Sequence, residues 1–392
     1  MAATLLPFAA ITRRDAPRRP WNRVAQRALI VVIAGVQALA LGGCAWLGLS
    51  WGAFSYPTTQ SGEAANVAVY GDWAYVTRGA VGYEVLRAGR STTSHVFMAP
   101  PGLGSVDDVA VADGLLFVLD AQPPGYLRVL SLADPSAPRL IGAPVEVPVG
   151  PFSGVTAAGG RVIVSGGTSS LTLRPYDRAG RLGPVVASAD LGRGQPDALL
   201  AAGGELGFVS THDWGPYFHV ALVRASLQPP AVTEIGAVAV DSYGFTPGGA
   251  RPASFPIETA VEGSLLYVAS AAGLGIFDVA DATAPKLLAR IDPGVMPVNV
   301  DVRGGIAAVV GSKPAPLLVF VDVRDPAHPE ILQSYPLPDG SLATGVALTD
   351  TYAVVAAHGH GAQLFDRSAG AWQHFTRPFP HLTPGSSQHD LS

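Results

Sequence analysis

The chain has 392 residues, of which 48% are hydrophobic and only 14% charged, with 46 glycines and 34 prolines. That balance excludes a solvated helical protein and suits many short buried strands joined by turns. The net charge of −5 leaves no basic face beyond the N-terminus, which argues against a nucleic-acid partner, and a single cysteine, Cys44, excludes an intrachain disulfide framework or a cysteine metal site.

In chain order, the first predicted element is an export segment. Residues 1–27 carry Arg13, Arg14, Arg18, Arg19, Arg23 and Arg27 against one acid, Asp15, and charge then vanishes until Glu63. The apolar run from Ala28 completes the pattern of a basic n-region and an apolar h-region, predicted to be helical. The two arginine pairs are followed by Asp15 and Pro20, where a twin-arginine signal wants an apolar residue. Leu41-Gly42-Gly43-Cys44 resembles the lipobox of bacterial lipoproteins. The resemblance implies cleavage before Cys44, a signal peptide over residues 1–43 and an acylated Cys44 at the mature N-terminus. Several acyl chains on one residue give stable anchoring. The alternative is an uncleaved membrane helix, since the apolar run matches the roughly 20 residues a span needs and the basic flank would hold the N-terminus inside. Both readings predict an exported, membrane-anchored protein. Ala45 is not the aspartate that retains lipoproteins at the inner membrane, so the resemblance implies the outer membrane or the cell surface.

Residues 44–62 are expected to be a tether, and one pattern then returns from Asn66 onward. The phrases are NVAVYGDWAYV (Asn66), DVAVADGLLFV (Asp108), GVTAAGGRVIV (Gly154), ALLAAGGELGFV (Ala198), ETAVEGSLLYV (Glu258), NVDVRGGIAAVV (Asn299) and GVALTDTYAVV (Gly345). Anchored on Val69, Val111, Ala157, Ala201, Val261, Val302 and Leu348, the steps are 42, 46, 44, 60, 41 and 46 residues. Each phrase is an apolar strand, a Gly/Asp turn and a second apolar strand. Such turns supply the positive φ that tight hairpins need. A period of about 40–50 residues holding four strands is the signature of propeller blades. The prediction is an all-β chain: one seven-bladed β-propeller of four-stranded blades over 63–382, followed by a disordered tail, 383–392. Each blade covers both faces of its neighbours, so its strands should be near-continuously apolar.

The second half of the repeat reads LRVLSLADPSAPRLIG at Leu127, LGIFDVADATAPKLLAR at Leu274 and LVFVDVRDPAHPEILQS at Leu318. Aspartate is expected to cap the turn with its side chain while proline presets φ at the next position. These lines resemble the LVIVD-repeat proteins, extracytoplasmic propellers of bacteria and archaea. The units near Leu171, Val220 and Gln363 lack the Asp-Pro turn. The long fourth step places extra residues at 231–256, an extended outer strand or an excursion loop, and AWQHFTRPFP from Ala371 should be the last outer strand.

The residues predicted to stand just before the inner strands are Asn66, Asp108, Gly154, Ala198, Glu258, Asn299 and Gly345, with Asp107 and Asp197 adjacent. Oxygen-bearing side chains at four of these, Asn66, Asp108, Glu258 and Asn299, form a candidate ligand ring at the channel mouth, able to hold a divalent cation or a small polar ligand. The plainer reading is strand-end capping. His358 and His360 form a second candidate metal pair if that stretch is extended, and His212, Asp213 and His219 a third polar cluster; neither is a full ligand set. No G-x-S-x-G, H-E-x-x-H, P-loop or dinucleotide motif stands in its required context. The tryptophan docking motifs of quinoprotein dehydrogenases are missing among the six tryptophans. The function predicted is therefore an envelope lipoprotein scaffold, monomeric, binding a protein, peptide or glycan at its face. The alternative is a metal-assisted hydrolase or lyase at the channel mouth. Fold alone does not choose between them.

Overall fold

The computed structural model describes residues 64–375, apart from 80–81, 88–93, 99–105, 121–123, 150–152, 167–169, 191–196, 201–205, 213–217, 241–257, 271, 312–313, 339–340 and 367–372. The chain forms two compact units, Met1–Ala53 and Phe54–Ser392. The signal segment, with Leu41, Gly42, Gly43 and Cys44, lies outside the described residues, as do the tether and the tail.

Every described element is a strand or a turn. Seven antiparallel sheets follow one another at 67–98, 106–147, 154–190, 197–240, 258–291, 297–336 and 345–375, numbered here as blades 1 to 7. Within each sheet spatial order equals chain order, so the strands form a meander from the inside outward. Each inner strand packs on the next, and the last, Gly345–Leu348, returns to the first, Val67–Tyr70, closing a propeller ring. In blade 2 the outer position is filled by two short strands, Arg139–Leu140 and Val145–Val147. The interruption falls at Gly142, with φ of 67°, and Pro144, which has no N–H to give a ladder.

Among the described residues the buried apolar side chains form seven clusters and no single core, and each cluster lies between two successive blades. Blade 6 shows why its strands lack polar alternation. Ile306, Ala308, Leu318 and Phe320 pack toward blade 7, whereas Ala307, Val309, Val319 and Val321 pack toward blade 5. Period-2 geometry sends successive side chains to opposite faces, and both faces are covered.

The hairpin turns use the residues predicted for them. Gly71, Gly114, Gly160, Gly263 and Gly305 all have positive φ. Asp134, Asp281 and Asp325 each accept the backbone N–H two residues on, at 3.0, 3.0 and 3.1 Å, and their backbone carbonyls accept the N–H three residues on. These are side-chain-capped turns. Blade 3 keeps the device without its proline: Asp177 takes the N–H of Ala179 and of Arg181, each at 2.9 Å. In blade 4 the third and outer strands lengthen to Phe218–Leu227 and Pro230–Val240, so residues 231–240 are the extended outer strand. The rest of that insertion lies outside the described residues. Gln373–Phe375 is the outer strand of blade 7.

The ring closes without strand exchange between blades 1 and 7 among the described residues. Ala64 and His358 exchange two backbone hydrogen bonds of 3.1 and 3.0 Å. The same bridge, Gly79 to Val106, joins blade 1 to blade 2. Val67, Val76 and Leu86 of blade 1 then pack on Ala347, Val354 and Leu364 of blade 7.

Candidate functional site

The inner strands all begin at one face of the ring. That face gathers the blade-to-blade connections and the loops between second and third strands; the other carries the first hairpins and the aspartate turns. The predicted ring residues hold equivalent places at the first face. Asp108, Gly154, Ala198, Glu258, Asn299 and Gly345 stand opposite Leu119, Ser165, Val209, Ala269, Val310 and Ala356 of the adjoining strands. One expectation is corrected: none of these six precedes its strand. Gly154, Glu258 and Gly345 are the first residues of theirs and Ala198 is the second, while Asp108 and Asn299 lie deeper inside Val106–Ala112 and Pro297–Arg303, just past register shifts at Val106/Asp108 and Pro297/Asn299. In blade 2 the start of the strand pairs with the preceding blade, through the Gly79–Val106 bridge.

The polar side chains of this ring bind neighbouring blades. The Asp108 carboxylate accepts the N–H of Val109 at 2.8 Å and that of Val155, in blade 3, at 2.7 Å, and the Asn66 side-chain amide of blade 1 donates to it as well. Asn66 Oδ1 accepts the N–H of Val67 at 2.7 Å. Three blades are thus linked through one carboxyl. On the opposite arc, Asn299 Nδ2 of blade 6 donates to the Thr344 carbonyl at 3.2 Å, and the Thr344 hydroxyl donates to the Ala65 carbonyl at 2.7 Å across the closing seam. Burial pushes the Asp108 carboxyl up to about 7; the two backbone N–H donors pull it down, and the charges of Glu258 and Asp107 push it further up.

Asp301 is a second such group, absent from the predicted set. Its oxygens take the N–H of Val302 at 2.9 Å and of Leu348, in blade 7, at 2.7 Å. Burial pushes it up to about 6; the two backbone donors and Arg303 pull it down, and the charge of Glu262 adds to the upward push. The sequence held a signal for it. Both acids interrupt apolar inner strands, and each reaches the N–H 47 residues ahead, one blade on. At the hairpin end the same logic repeats. Glu262 of blade 5 accepts the N–H groups of Gly304 and Gly305 in blade 6 at 2.6 and 3.0 Å. Asp113 of blade 2 accepts the Tyr176 hydroxyl at 2.7 Å, and Arg303 reaches Asp350 at 2.6 Å.

The histidine pair sits elsewhere than expected. His358 and His360 lie in the turn joining the second and third strands of blade 7, with His358 at φ of 49°, so that stretch is a tight turn and not extended. His360 is exposed and its carbonyl accepts the Gln363 side-chain amide at 2.9 Å. His219 is in the third strand of blade 4, opposite Thr211; His212 ends the second strand, and Asp213 lies outside the described residues. Among the described residues no three His, Cys, Asp or Glu side chains converge on a metal-sized site.

These features define a closed seven-bladed propeller whose channel acids are used as blade-to-blade ties. The LVIVD repeat matches residues 61–81 and 258–292, the first hairpin of blade 1 and the whole of blade 5, so this propeller carries LVIVD repeats. No curated protein matches the chain. Similar solved structures include a protein from Lactobacillus plantarum, with 17% identity over 70% of this chain and 86% of that one at a TM-score of 0.54. A protein of the 6-phosphogluconolactonase type from Bacteroides fragilis has 13% identity over 79% and 92% at 0.57. The WD40 propeller domain of Doa1 has 12% identity over 80% and 95% at 0.55. At these identities the likeness is one of fold, and the functions are mixed.

Proposed function

We propose that the protein is an envelope-anchored binding scaffold, held by an acylated Cys44, whose propeller presents a face to a protein, peptide or glycan. The observation that carries this reading is the commitment of Asp108. Its carboxyl is engaged by Asn66, Val109 and Val155, so its oxygens serve the ring and are not poised toward a reacting group. A rigid ring with varied loops on its faces is the arrangement that recognition surfaces favour. Crosslinking on intact cells followed by identification of captured partners tests this; a reproducibly empty set of captured molecules would overturn it. Cys44→Ala should leave the protein unprocessed or release it from the membrane fraction, and unchanged processing would remove the lipid anchor from the account.

A second reading, a metal-assisted hydrolase or lyase at the channel mouth, draws on the concentration of charge there, where Asp107 and Glu258 both raise the Asp108 carboxyl. Titration calorimetry with calcium, magnesium, manganese and zinc separates the two. Binding abolished by Glu258→Gln would favour the enzyme, and no heat with any of the four would remove its support.

A further inference from the structure

Four of the eight large hydrophobic side chains left exposed among the described residues lie on the outer strands of two successive blades. Leu287 and Leu288 lie in the outer strand Lys286–Ile291 of blade 5, 52% and 38% exposed; Ile331 and Leu332 lie in the outer strand Glu330–Pro336 of blade 6, 46% and 47% exposed. The two rims are equivalent in register. Lys286 pairs with Asp278 and Glu330 with Asp322, so each strand opens on an exposed charge, positive on one rim and negative on the other. Each then bulges at the same place, between Ile276 and Phe277 and between Phe320 and Val321. Bulged edges resist the addition of a further strand, so this surface is built for side-chain packing and not for extending the sheet.

We propose that this rim is a homodimer interface, in which a two-fold axis parallel to the channel sets blade 5 of one copy against blade 6 of a second copy. That operation keeps both copies the same way up. It brings Leu287 and Leu288 of each copy against Ile331 and Leu332 of the other, and Lys286 of each against Glu330 of the other, at one height along the rim. The charge arrangement is what selects a second copy as occupant: an exposed lysine on one rim and an exposed glutamate at the equivalent place on the next, each beside two exposed apolar side chains, complement one another under a two-fold, and such a contact closes after two copies. The interface goes beyond the scaffold reading, does not require its ligand, and departs from the monomer expected from sequence.

The test is sedimentation equilibrium of the full chain in mild detergent over a wide concentration range. A concentration-dependent dimer is expected. Lys286→Glu and Glu330→Lys should each weaken it by about tenfold, through like charges set opposite one another, and the double swap in one chain should recover most of that loss. Leu288→Asp should leave monomer. A monomer at every concentration, a dimer indifferent to all four variants, or single swaps that the double swap does not rescue would each overturn the proposal. Because all these positions are solvent-exposed, circular dichroism and melting temperature serve to confirm that each variant is folded.

Discussion

Phe320→Ala tests the central claim about stability, that it resides in layers between blades. Phe320 is fully buried on the third strand of blade 6 and packs across the interface among Ile306, Leu318 and Phe365. Its ring meets Tyr335 edge-on at 6.0 Å, and Tyr335 in turn lies 5.3 Å from Phe365, so one side chain ties an aromatic chain from blade 6 to blade 7. Truncation removes the transfer free energy of the ring and leaves a cavity that two stiff sheets cannot collapse, a loss of ~3–5 kcal/mol. Leu140→Ala, at a side chain 50% exposed on the blade 2 rim, is the control and should cost less than ~1 kcal/mol. Urea denaturation followed by tryptophan fluorescence and circular dichroism reads both. Coincident transitions by the two probes would establish that the ring unfolds as a unit, and the midpoint shift then gives the cost. A Phe320→Ala loss no larger than that of the control would refute the layered account.

Three further outcomes follow from particular contacts. Gly236→Ala should lower the melting temperature by several degrees, because a Cβ there would stand 2.1 Å from the Ala282 carbonyl oxygen in the aspartate turn of blade 5, and backbone on both sides must move. The pH dependence has two opposed arms. Asp108 and Asp301 have folded values raised to about 7 and about 6, so the folded ring holds protons that the unfolded chain releases; their contribution is complete below about pH 4 and is lost as pH rises toward those values. Asp134, Asp177, Asp281 and Asp325 are held low, chiefly by hydrogen bonds from their own turns, so their contribution is present above about pH 4 and is lost in stronger acid. Denaturation midpoints should therefore be highest at mildly acidic pH and decline toward neutrality, and the Asp108→Asn, Asp301→Asn double variant should lose that decline; a wild-type midpoint that rises from pH 5 to pH 8 would contradict the assignment. Finally, Glu262→Ala strips the acceptor from two N–H groups of the Gly304–Gly305 turn and should speed amide exchange there while leaving the corresponding Gly263 turn of blade 5 unchanged, measured by hydrogen–deuterium exchange with mass spectrometry.

The repeat was readable from the residues alone, because it is made of local physics. A two-residue turn needs positive φ, an aspartate two residues from an N–H caps it, and a strand covered on both faces must be apolar throughout. Gly114, Asp134 and the run from Leu317 to Val321 carry that information within a few residues of themselves, so the blades and their number were legible. The loss of proline in blade 3 did not remove its turn, since the side-chain cap of Asp177 does that work alone. What the ring acids do emerged from the folded ring. Whether Asp108 turns toward the channel as a ligand or toward Val155 as a tie depends on a residue 47 positions away and on the register shift that places it. The same holds for Asp301, for the left-handed turn that takes His358 out of an extended pair, and for the closing seam, where Ala64 meets His358. Those contacts join residues far apart along the chain, and their partners exist only once the blades have come full circle.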